Sequence, residues 1–85
     1  MKLNLYAIKD AKSTFMQPMA DQNDATAIRN FQNACRQPGS LLASHPNDFA
    51  LWNIGWFDNE TGVICAEGSG PIYDAAQAMQ EVLSK

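Results

Sequence analysis

The run Phe49-Ala50-Leu51-Trp52-Asn53-Ile54-Gly55-Trp56-Phe57 is the densest apolar stretch of this chain, and Asp58-Asn59-Glu60-Thr61-Gly62, which follows it, is turn chemistry. Period-two alternation sets Phe49, Leu51 and Phe57 opposite Trp52, Ile54 and Trp56, the pattern of a strand with two apolar faces. Gly62 is placed for the positive φ that a hairpin loop needs, and Val63 to Glu67 returns as the partner strand. Everything else in the chain has to pack around this hairpin.

With 85 residues there is room for one domain, 1–85, and no more. A chain of that size buries only about 60 to 65% of the surface its unfolded form exposes, so its core must come from a few aromatics and a few packed elements. Residues 2 to 9 alternate, with Leu3, Leu5 and Ala7 on one face and Lys2, Asn4, Tyr6 and Ile8 on the other. This is a strand, and its second apolar face places it inside the sheet rather than at an edge. Residues 10 to 23 mix polar groups with Phe15, Met16, Pro18 and Met19, and Pro18 bars a continuous helix. They read as a loop or arm with a short extended stretch at 15–17, its phenylalanine and two methionines serving as core cover or as a contact surface, with core cover favoured because so short a domain needs every large apolar group.

Two helices complete the chain. Asp21 or Asp24 caps the first, whose apolar positions Ala27, Ile28, Phe31, Ala34 and Cys35 keep helical spacing until Pro38-Gly39 stops it. The second is expected to start at Pro71, capped by Ser69 or Gly70, with Ile72, Ala75, Ala76, Met79, Val82 and Leu83 on one stripe. Asp74 lies near its positive end and Lys85 near its negative end. The order is β-α-β-β-α, an α+β two-layer sandwich with a mainly antiparallel three-stranded sheet and two helices on one face. The second face would carry several of Tyr6, Ile8, Trp52, Ile54 and Trp56, too much apolar surface to leave wet. A homodimer, or the 10 to 23 arm, is expected to cover it.

Charge and chemistry exclude more than they assign. The formal net charge is −3, but residues 1 to 45 carry five Lys/Arg against three Asp/Glu while residues 46 to 85 carry one against six. A uniformly basic nucleic-acid binder is ruled out, and a local basic surface is not. His45, the one histidine, has no nucleophile at motif spacing, and with Cys35 and Cys65 it makes no zinc-ligand set. The cysteines read as free thiols, Cys35 on a helix's apolar face and Cys65 in a strand. Gly68-Ser69-Gly70-Pro71 lacks the lysine of a phosphate loop, and the 58–62 turn does not follow the calcium-loop pattern. No catalytic residue, cofactor or metal is expected, and the protein reads as non-enzymatic. No apolar run is long enough to export or span, so no membrane is expected and the compartment reads as the cytoplasm.

What remains is aromatic and interactional. Tyr6, Trp52 and Trp56 occupy alternate strand positions, an arrangement that single-strand binders use to stack bases, and Lys2, Lys9, Lys12, Arg29 and Arg36 would meet phosphates. Burial of the same rings in core or interface competes with that reading, because indole burial contributes so strongly.

Several segments taken together resemble a known family. These are Met1-Lys-Leu-Asn-Leu-Tyr-Ala-Ile-Lys-Asp10, Phe15-Met-Gln-Pro-Met19, Ala27-Ile28-Arg29-Asn30-Phe31, and Asn47-Asp-Phe-Ala-Leu-Trp-Asn-Ile-Gly-Trp-Phe-Asp58 with its turn to Gly62. The chain is similar to the small nonstructural proteins of gokushovirus-type microviruses, which are single-stranded-DNA bacteriophages. The resemblance implies a protein of the infected host's cytoplasm, absent from the virion. It also implies a role in viral DNA synthesis, at the switch from duplex replication to single strands or at packaging, by binding DNA. The alternative is an acidic interaction module, presenting Asp58, Glu60, Glu67, Asp74 and Glu81 to a phage or host replication protein without touching nucleic acid.

Overall fold

The computed structural model describes residues 1–83. Lys85 and the side chains of Val82 and Leu83 lie outside the described residues. Strand β1 (Lys2–Asp10) runs antiparallel to β3 (Phe49–Asp58) over its whole length, and β2 (Met19–Asp21) pairs with β1 on the other side. The outer edge of β3 is shared by two short strands, β4 (Ile64–Cys65) along its end and β5 (Gly70–Asp74) along its beginning. Helix α1 (Asp24–Cys35) follows β2, a single-turn helix α2 (Leu41–Ser44) and a 3₁₀ turn (Pro46–Asp48) precede β3, and α3 (Ala75–Leu83) follows β5. The protein is therefore an α+β fold on an antiparallel sheet, with β1 interior as its two apolar faces demand.

The observed order is longer than β-α-β-β-α at three places. The arm contributes β2. The connection through Leu41 and Leu42 forms α2 because Ser40 accepts a hydrogen bond from the Leu42 N–H at 3.0 Å and Leu42 buries. Residues 70–74 are a strand rather than the first turn of the last helix. Pro71 has no N–H to give a ladder, which an edge strand tolerates, and Tyr73 reaches the core only from a strand. Asp74 then caps α3, accepting from the Gln77 N–H at 2.7 Å. The cap of α1 is Asn23, which accepts from the Thr26 N–H at 2.8 Å, rather than Asp21 or Asp24.

One core forms. Tyr6 and Ile8 from β1, Phe49 and Leu51 from β3 and Tyr73 from β5 meet Ala27, Phe31 and Cys35 of α1, Leu42 of α2, and Ala75 and Ala78 of α3. The strand residues in that set share one face, since Ile8 pairs with Leu51 and Leu51 with Tyr73. The helices cover that face, and Tyr6 and Ile8 belong to it, not to the open face where alternation across the hairpin had set them.

Candidate nucleic-acid interface

The open face is built from Leu3, Leu5, Ala7 and Lys9 of β1 and their cross-strand neighbours. The β1–β3 register contains one irregularity, and the β3–β5 register a second between Leu51 and Trp52. Leu5 pairs with Gly55 but Tyr6 with Asn53, so Ile54 is an extra residue on β3. Side-chain parity inverts across such a bulge. Trp52 stands beside Ala7 on the open face, whereas Trp56 stands beside Asn4 on the helix side of the sheet. The two indoles do not form one platform. Tyr6 cannot join either, because its ring is 0% exposed and its hydroxyl is committed. That hydroxyl donates to Asp24 Oδ1 at 2.5 Å and accepts from Asn4 Nδ2 at 3.1 Å. Burial first, then the Asp24 hydrogen bond, pushes the phenol up to about 12.

Around Trp52 the sheet gathers a different partner, Phe15. After β1 the chain reverses in a turn organised by Asp10, whose carboxylate accepts from the Lys12 N–H at 2.9 Å and the Ser13 hydroxyl at 3.1 Å. The returning strand bridges Phe15 to Lys9, which sets the Phe15 ring edge-on to Trp52 with centroids 5.3 Å apart and planes at 89°. Lys9 Nζ lies 5.0 Å from the Trp52 centroid and 5.4 Å from that of Phe15. The arm is not core cover. Residues 11–20 are all exposed, and Phe15 keeps 44% of its surface in solvent. The arm folds back beside β1, laying Phe15 against Trp52 and pairing Ala20 with Leu5 on the open face.

The basic residues divide accordingly. Lys9 lies against the Phe15–Trp52 pair, and Lys12 is exposed in the turn between Lys9 and Phe15 in sequence. Lys2 lies over Trp56, 4.2 Å from the ring centroid, at the hairpin end. Arg29 on α1 and Arg36 at its C-cap are exposed, with the helix that covers the other face of the sheet. Of the eight residues singled out from sequence, the fold brings Lys9 to Trp52 and Lys2 to Trp56, buries Tyr6, and leaves Lys12, Arg29 and Arg36 exposed without a ring contact among the described residues. Phe15 was missed as a functional ring, although a lone aromatic in a polar arm was its signal.

A groove of about 420 Å³ opens beside Trp52. Its floor follows from register: Lys9 pairs with Ala50 and Ala50 with Asp74, so the three cross the open face in one row with the smallest in the middle. Trp52 lines it in the next row, and Pro46, Asn47 and Asp48 of the 3₁₀ turn close its end. The Asp48 carboxylate accepts no hydrogen bond among the described residues.

Other chemistry is sparse. Ser44 Oγ contacts His45 Nδ1 at 2.8 Å, and both residues are exposed. Cys35 and Cys65 are free thiols, and burial pushes the Cys35 thiol up, away from the reactive thiolate. Among the described residues, no group of three His, Cys, Asp or Glu is placed to hold a metal, and no helix is long and apolar enough to cross a membrane. At the hairpin end, the Glu60 N–H and the Met1 ammonium hold the Asp58 carboxyl below its usual range.

Comparison with known proteins gives one finding. A family model described as "Phage ORF5 protein" matches residues 3–78. No curated protein and no solved structure matches.

Proposed function

The chain belongs to the phage ORF5 protein family, and from that premise we propose that it is a nonstructural protein of a gokushovirus-type microvirus that acts in viral DNA synthesis by weak binding of single-stranded DNA in the host cytoplasm. The observation that carries this reading is Lys9 set against Phe15 and Trp52 on the sheet face that no helix covers. Exposed rings on a sheet stack bases regardless of sequence, and a flanking cation meets the backbone. The role is non-enzymatic and uses no cofactor. With Lys9 as the local cation, the electrostatic share is small, since each phosphate neutralised on a single strand adds only about 0.7 to the log-log salt slope.

Fluorescence anisotropy with a labelled oligonucleotide tests it. Binding at low salt should weaken at physiological salt, and Trp52→Ala should cut affinity at least about five-fold, because stacking contributes roughly 1 to 3 kcal/mol per base. No binding by the folded protein at either salt would overturn the reading. The alternative of an acidic docking module fits less well, because four of its five carboxylates already have partners: Asp58 and Glu60 lie 3.5 and 3.2 Å from the Met1 ammonium, Glu81 accepts from Gln32 at 2.9 Å, and Asp74 caps α3.

The proposal extends to a homodimer. At the hairpin end of the open face, Leu3 pairs with Phe57 and Phe57 with Ile64, which is 69% exposed, beside half-buried Leu5. A second copy seated there would dry this apolar end and leave the Trp52 end free for DNA.

A further inference from the structure

We propose that the groove over Ala50 reads the base of a bound single strand and selects cytosine over thymine, an inference that rests on the single-stranded-DNA reading above. The groove is not a phosphate site. Its charged lining is Lys9 against Asp48 and Asp74, one cation to two carboxylates, so a phosphate inside it would meet net repulsion. A backbone held by Lys9 runs along the rim instead, and what enters is the base.

The walls suit a flat ring with an amino group. Trp52 offers an aromatic side, and the Ala50 floor leaves the space that a larger side chain would fill. Across Ala50 from Lys9 stands Asp74, two strand spacings away or about 10 Å. One Asp74 oxygen caps α3 and the other is uncommitted, and the Asp48 carboxylate has no partner among the described residues. Two carboxylates accept hydrogen bonds and donate none. Cytosine presents its N4 amino group as a donor, and thymine presents a carbonyl oxygen at the same position, so these two carboxylates attract one and repel the other. Stacking alone would not distinguish two pyrimidines of similar area.

The test measures anisotropy with labelled oligo-dC and oligo-dT of equal length on the whole protein, Asp48→Asn and Ala50→Leu. The wild type should bind dC about five-fold tighter, the effect of one charge-assisted hydrogen bond at a half-open site. Asp48→Asn should weaken dC and tighten dT, because it removes an acceptor's charge and adds a donor. A purely structural role for Asp48 would move both in one direction. Ala50→Leu should abolish the preference by filling the floor, with folding checked by circular dichroism. Equal binding of dC and dT by the wild type overturns the base-reading groove and leaves single-strand binding standing, whereas binding of neither overturns both. Displacement of dC by an arginine amide, without any difference between dC and dT, would assign the groove to a basic peptide and overturn the proposal as well.

Discussion

Tyr6 shows how much one residue's surroundings decide. Its position in an alternating strand was legible, but alternation cannot say which of two apolar faces will receive helices. The helices chose the face of Tyr6 and Ile8, and so a ring expected to stack on bases became the largest fully buried side chain. Its hydroxyl bridges Asn4 and Asp24 and ties β1 to the first turn of α1. The phenol stands at about 12 in the folded protein, against about 10 in an unfolded chain. Raising an acid's pKa on folding means that the folded state keeps its proton longer. The resulting stability, about 2 to 3 kcal/mol, is fully present below about pH 10 and is lost as pH rises from there to about 12. Tyr6→Phe should cost about 1 to 2 kcal/mol at neutral pH, from the partners left to water. Denaturant midpoints should then converge with those of the wild type between pH 10 and 12. A difference between the two that stays constant with pH would contradict the bridge.

At the scale of elements, β3 is where the sequence and the fold part company. The hairpin is formed as its turn residues require, with Gly62 at φ 79 and the Gly62 N–H donating to the Asp58 carbonyl at 2.8 Å. The extra residue at Ile54 is invisible to alternation, because this strand carries apolar residues on both faces and a bulge merely reverses where the next ones point. Its mark in the sequence is Gly55. A β-carbon there would be driven into the Cys65 carbonyl, and one on Gly68 into the backbone of Asn53 and Ile54. The returning strand therefore crosses β3 at backbone distance and breaks into β4 and β5 instead of running unbroken from 63 to 67. Gly55→Ala should destabilise the protein by about 3 kcal/mol, read as a lowered midpoint in chemical denaturation, since backbone rather than a flexible side chain must yield. A variant of wild-type stability would mean that the crossing can open without cost.

For the whole molecule, the open face sets the remaining expectation. If Leu3, Leu5, Phe57 and Ile64 meet a second copy, gel filtration should return a dimer. Ile64→Glu should return a monomer that still binds oligonucleotide, because Trp52 lies at the other end of the sheet. A wild-type monomer at high concentration would remove the dimer. The α+β class, the first helix with its Pro38-Gly39 stop, the hairpin and the interior place of β1 were all determined by the sequence, because periodicity and turn chemistry act through near neighbours. The split of charge between the halves was legible in the same way. Tertiary structure alone decided that Trp52 and Trp56 face apart, that Phe15 rather than Tyr6 stands against Trp52, and that Lys9, Ala50 and Asp74 fall in one row to make a groove. Those outcomes depend on register between residues distant in the chain, Ala7 with Trp52 and Ala50 with Asp74, and a single bulged residue, which alternation does not reveal, is enough to change them.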